Sequence, residues 1–110
     1  MIEKIVKNYL EEKLETPIFI EEPEKKIEEY ILVEKTGSSR RNGINSATVA
    51  IQSYSVSMEK AAILNELVKD TMDAMPMECN VYSSKLNTDY PFTDTKTKRY
   101  RYQAIYDITY

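Results

Sequence analysis

The residues of this chain that could do chemistry are its aromatic and charged ones, and their spacing points to contacts rather than bond-making. Lys96, Lys98, Arg99 and Arg101 form the one dense basic run, threaded with Tyr100 and Tyr102. Cations beside rings can hold single-stranded nucleic acid by stacking and phosphate contact. Equally, Arg99 and Arg101 sit two apart, on the polar side of a strand, where cross-strand glutamates would satisfy them. Arg40 and Arg41 follow a Gly37-Ser38-Ser39 stretch. There they either bind phosphate or an acidic partner, or keep an exposed tip solvated. Tyr90 and Phe92 stand in an Asn-, Thr- and Asp-rich connection, where large apolar side chains must be pinned to some surface. An enzymatic reading has only carboxylates such as Asp89 and Asp94 with a metal to draw on, and no Asp/Glu group has ligand-like spacing.

The missing residue types narrow the field further. There is no histidine, which removes Ser-His-Asp and Cys-His catalysis, histidine metal sites and histidine acid–base work. Two glycines, Gly37 and Gly43, cannot write a phosphate-binding loop or a dinucleotide fingerprint. The single cysteine, Cys79, has no internal disulfide partner and no histidine base, and reads as a small core or strand residue. With neither catalytic residue, cofactor motif nor metal-ligand set, the expectation is a protein that is not an enzyme.

A length of 110 residues suits one domain, residues 1–110, with one modest core. The 42% hydrophobic and 30% charged fractions fit a globular domain with a charged surface, and the formal charge of −3 gives no overall basic field. No apolar run approaches the ~20 residues of a membrane span. Acidic residues stand near the start, where a signal peptide would be basic and then apolar, so a reducing cytoplasm is expected.

The elements that must position these residues follow from periodicity. Ile2, Ile5, Val6, Tyr9, Leu10 and Leu14 mark one face of a helix over 2–15, stopped by Thr16-Pro17. Ile18-Phe19-Ile20-Glu21 predicts a short strand closed by Pro23, and residues 21–29 an acidic, solvated connection. Tyr30-Ile31-Leu32-Val33 predicts an interior strand covered on both faces. Residues 36–45, with Gly, Ser and Asn42-Gly43, predict a long loop. A strand over Ser46–Tyr54 follows. Ser57 should cap a helix running to Ala74 or Met75, with a stripe of Met58, Ala61, Ala62, Leu64, Val68, Met72 and Met75 widened by Ile63 and Leu67. Pro76 should end it. A weaker strand is expected over 78–86 around Val81-Tyr82, then a second long connection over 86–97. From Arg99 to Tyr110 the sequence alternates cleanly, setting Tyr100, Tyr102, Ala104, Tyr106, Ile108 and Tyr110 on one side of a final strand.

The order is α-β-β-β-α-β-β. Two amphipathic helices must bury their stripes, so the expected fold is an α+β two-layer sandwich, a mostly antiparallel sheet with both helices on one face.

Two stretches carry a family resemblance. Ala47 to Tyr54 (ATVAIQSY) with the Ser57 cap and Leu64-Asn65-Glu66, and the end from Leu86-Asn87-Thr88-Asp89-Tyr90-Pro91-Phe92-Thr93-Asp94 through Lys98-Arg99-Tyr100-Arg101-Tyr102-Gln103-Ala104-Ile105-Tyr106-Asp107-Ile108, resemble tail-completion proteins of long-tailed phages and prophages of Gram-positive bacteria. More distantly, they are similar to tail terminators. The resemblance implies a virion structural protein without enzymatic activity or cofactor. It implies a ring, a hexamer, made in the host cytoplasm and placed at the head–tail junction, where it caps the tail tube and joins the head connector. Its partners would be further copies of itself, the tube protein and the connector, with no membrane, and nucleic acid only as DNA threading the ring. Ring contacts in the family use sheet edges and extended loops. Here those regions are 36–45 and 87–97, and with the adjoining strand they offer Arg40, Arg41, Tyr90, Phe92, Lys96, Lys98, Arg99 and Arg101 to an interface. The competing readings are a head–tail adaptor of similar size and symmetry, and a small nucleic-acid-binding regulator using Lys96–Tyr102.

Overall fold

In the computed structural model, residues 1–94 and 99–110 are described. The elements are α1 (Ile2–Lys13), β1 (Ile18–Phe19), β2 (Tyr30–Arg41), β3 (Ile44–Ser55), α2 (Met58–Asp73), α3 (Met75–Glu78), β4 (Ser83–Pro91) and β5 (Tyr100–Thr109). The five strands form one sheet in the order β1-β2-β3-β5-β4. Only β1 and β2 run parallel; the other pairs are antiparallel. The α+β class, the antiparallel sheet and the order expected from periodicity all hold, with α3 as a small addition.

The helices lie over one side of the sheet. Ile2, Val6, Tyr9 and Leu10 of α1 and Leu64, Val68 and Met72 of α2 share one core with Ile31, Val33, Val49, Ile51, Ala104, Tyr106 and Ile108. The other side has a smaller cluster of Tyr30, Leu32 and Tyr54, with Phe19 and Ile27 against it. Residues 30–33 are therefore buried on both faces, as a continuous apolar run requires. Ser57 caps α2 by accepting from the backbone N–H of Lys60 at 3.1 Å.

Several boundaries differ from expectation, each for a local reason. Residues 36–45 are not a loop. Asn42 (φ 52°) and Gly43 (φ 78°) make a two-residue turn with both centres left-handed, the primed geometry whose twist matches a hairpin, so β2 and β3 continue to the turn itself. Residues 86–91 likewise belong to β4, paired along β5 from Ser83↔Thr109 to Pro91↔Tyr102, and Val81-Tyr82 precede that strand. Ile63 and Leu67 do not widen the buried stripe; they are 62% and 47% exposed. The α2 helix ends at Asp73, and Pro76 sits in the first turn of α3, where its missing N–H costs nothing. Tyr106 and Ile108 are buried, whereas Tyr100, Tyr102 and Tyr110 are only half-buried, so the tyrosine side of β5 is core at its middle and not throughout.

One contact ties the two helical segments together and sets an alkaline limit. The Tyr9 hydroxyl donates to the Thr71 carbonyl oxygen at 2.6 Å and to Glu78 Oε2 at 3.1 Å. Burial, then the hydrogen bond and charge of Glu78, push its pKa from 10.0 to about 12. The folded state thus holds this proton more tightly than the unfolded chain. Its contribution is complete below pH 10.0 and is lost as pH rises through about 12. Denaturant midpoints measured across that window should fall with pH, and Tyr9→Phe should make the decline shallower; an unchanged slope would rule out this linkage.

Candidate functional site

The sheet face turned away from the helices gathers four of the eight candidate interface residues, Tyr90, Phe92, Arg99 and Arg101. Alternation places Tyr30, Tyr54, Arg101, Gln103 and Tyr90 on this side, because cross-strand partners share a face: Tyr30↔Tyr54, Tyr54↔Arg101 and Tyr90↔Gln103. Tyr30 and Tyr54 stack with centroids 4.4 Å apart and planes 10° from parallel. The Arg99 guanidinium lies 5.4 Å and 4.9 Å from those two rings. Arg101 lies 5.5 Å from Tyr54 and 4.3 Å from Phe92. Phe92 meets Tyr90 edge-on at 5.9 Å. The result is a row of alternating rings and guanidinium groups, an attraction between cation and ring quadrupole.

Hydrogen bonds hold the row in place. Glu22 Oε1 accepts from the Tyr30 hydroxyl at 2.6 Å and from Arg99 Nη1 at 3.0 Å. Arg99 Nη2 also donates to the Tyr30 hydroxyl. Arg101 Nη1 donates to the Tyr54 hydroxyl at 2.7 Å, and its Nε to the Phe92 carbonyl at 2.5 Å. Beneath them Gln52 Nε2 donates to Gln103 Oε1 at 2.7 Å, Tyr54 to Gln52 Oε1 at 3.0 Å, and Gln103 Nε2 to the Tyr90 hydroxyl at 2.5 Å. Burial, then the bond to Glu22, raises the Tyr30 pKa well above the usual tyrosine value, so its hydroxyl stays a donor. Cations, donors and ring surface of this kind suit recognition.

The cross-strand glutamates expected for both arginines reduce to one: Glu22, from the segment after β1, answers Arg99, while Arg101 is held by rings and a carbonyl. Tyr30, Tyr54, Gln52 and Gln103 were not foreseen as part of this surface. Arg40 and Arg41 stand apart, at the outer end of the β2–β3 hairpin, on opposite faces. Arg40 Nε donates to Asn45 Oδ1 at 2.7 Å. Lys96 and Lys98 lie outside the described residues.

The hairpin end is a second surface. Every residue from Glu34 to Ile44 is exposed. β1 pairs only Ile31 and Leu32, so along 34–41 β2 has no strand on its outer side among the described residues. The molecule measures 44 × 25 × 25 Å, its long axis near the ~40 Å that a twelve-residue strand spans.

Of the carboxylates considered for a metal, Asp89 Oδ2 accepts from Asn65 Nδ2 and Lys69 Nζ, both at 2.9 Å; the backbone of Asp94 forms a bridge with Arg99. Among the described residues no group of three or more Cys, Asp or Glu side chains is placed to hold a metal ion, and no helix is long and apolar enough to cross a membrane. Burial raises the pKa of the half-buried Cys79 thiol, away from nucleophilic use. No protein-family model matches this chain, and no curated protein does.

Proposed function

We propose that this chain is a structural subunit of a phage tail, a tail-completion or terminator protein that assembles head to tail into a ring, caps the tube and joins it to the head connector. The observation that carries the reading is the outer edge of the β2–β3 hairpin: eleven consecutive residues, Glu34 to Ile44, are exposed, and along 34–41 β2 has no strand on its outer side among the described residues. β5 pairs with β3 from Ser46 onward, so only the tip projects past the sheet, while the open β2 edge leaves backbone groups and side chains for another chain to cover. An adjacent subunit would supply that cover, and a head-to-tail contact closes into a ring when its rotation divides the circle. The arginine–ring face adds a preformed, half-exposed patch for a second contact, and the resemblance in the middle and end of the sequence supplies the place in the virion.

A single-stranded nucleic-acid partner draws less support. Stacking requires open ring faces; Tyr30 and Tyr54, the two rings beside Arg99, are buried against each other, which leaves only Phe92, 4.3 Å from Arg101, and Tyr90 as exposed rings of the row.

The test is to mix the protein with the polymerising tube protein of the same phage. Tubes of limited length with a ring at one end are expected by negative-stain microscopy. Unchanged elongation with bare ends would remove the reading, and rings bound only to the head connector would move it to a head–tail adaptor.

A further inference from the structure

The outward side of α2 carries two features that belong together. Ile63 and Leu67, one turn apart, are largely exposed and line a shallow groove with Lys60, Leu64, Thr16 and Glu29. Helical geometry puts Glu59, Glu66 and Asp70 along one side of this apolar pair, all of them exposed. Glu66 has Lys69 as an ion-pair partner, and Glu59 and Asp70 are in no ion pair among the described residues. The surface is an apolar stripe with an acidic border on one side and Lys60 on the other.

The hairpin tip is its complement. Arg41 and Ile44 are cross-strand partners flanking the Asn42-Gly43 turn, so a cation and a branched aliphatic project side by side from one face. Ile44 is 51% exposed, and Arg41 is in no ion pair among the described residues. Arg40 adds a second positive charge on the other face of the tip.

We infer that the β2–β3 hairpin of one copy docks on α2 of the next, Ile44 against Ile63 and Leu67, Arg41 toward Glu66 and Asp70. The inference rests on the ring reading above and names its contact. Tip and receiving helix are different surfaces of the same chain, so the contact is heterologous: each copy gives one tip and receives one, as ring closure needs. Opposite charges bordering a small apolar centre give such a contact its register and orientation.

A charge swap tests it in solution by sedimentation and native mass spectrometry. R40E with R41E makes the tip acidic; E66K with D70K makes the helix border basic. All four positions are exposed, so thermal melts should match wild type, and the single swaps R41E and D70K serve if a double variant melts early. Each variant alone should assemble at least ~10-fold more weakly than wild type. Mixed in equal amounts they should assemble again, because the acidic tip of one meets the basic helix of the other and the unaltered pair also remains. Variants that assemble like wild type, or a mixture that stays monomeric, would overturn this contact while leaving the ring reading to the capping experiment. A wild type monomeric at every attainable concentration would overturn it too, and tube capping would then be decided on its own assay.

Discussion

Tyr106→Ala is expected to cost ~3–5 kcal/mol, the loss typical of emptying a buried aromatic site. Tyr106 is fully buried in the main core. Val49 of β3 and Leu86 of β4 are its cross-strand partners, so the ring sits mid-sheet beneath the helices. Against a typical domain stability of about 5–15 kcal/mol, such a loss brings the fold close to its limit. The hydroxyl contributes little: its hydrogen bond to the Lys69 carbonyl is long, 3.4 Å. Tyr106→Phe should therefore stay within ~1 kcal/mol of wild type. Tyr102→Ala, on the same side of the strand but half-buried, should cost well under half as much as Tyr106→Ala. Urea midpoints of the three variants decide this, and equal losses at 102 and 106 would contradict the burial difference along β5.

That difference marks how far the sequence could be read. Strict alternation from Arg99 to Tyr110 identified β5 and its inward side, because a period of two is a property of the strand itself. How deep each tyrosine lies depends on what packs over it, which no local pattern encodes. The stripe on α2 shows the same limit: Leu64, Val68 and Met72 are buried and Ile63 and Leu67 are not, although all five are equally apolar. The hairpin departs from its sequence expectation for a different reason. Gly37, Ser38 and Ser39 have loop-like composition, yet a primed turn at Asn42-Gly43 pairs them into strands, and backbone pairing is indifferent to side-chain composition. The arginine–ring face was half legible. Arg99, Arg101, Tyr90 and Phe92 stood out by type, whereas Tyr30 and Tyr54 join them through register. Counting outward from Asn42-Gly43 without interruption would set Tyr30 opposite Ser55; the irregularity between Lys35 and Gly37 sets it opposite Tyr54 instead.

Tyr54→Ala follows from that register and should be the largest single disturbance to the candidate interface, about 3–4 kcal/mol by large-to-small and stacking losses together. Tyr54 is buried, stacks on Tyr30, lies under both guanidinium groups, donates to Gln52 and accepts from Arg101. Removing the ring leaves Arg101 without its hydroxyl acceptor and opens the buried Gln52–Gln103 pair to solvent. Tyr54→Phe keeps the stack and deletes only the hydroxyl, so ~1–2 kcal/mol is expected, from the two hydrogen bonds it served. The pair separates two roles for this face. If the row exists chiefly to stabilise the sheet, both variants lose stability in that proportion and still assemble like wild type once folded. If it is also a docking patch, Tyr54→Phe, which stays well folded, should weaken ring formation or tube capping by more than its small stability loss accounts for, because Arg101 is then free to leave its place between Tyr54 and Phe92. Denaturant midpoints set beside assembly constants for the same two proteins distinguish these cases, and a Tyr54→Ala midpoint equal to wild type would show that the stack does not form.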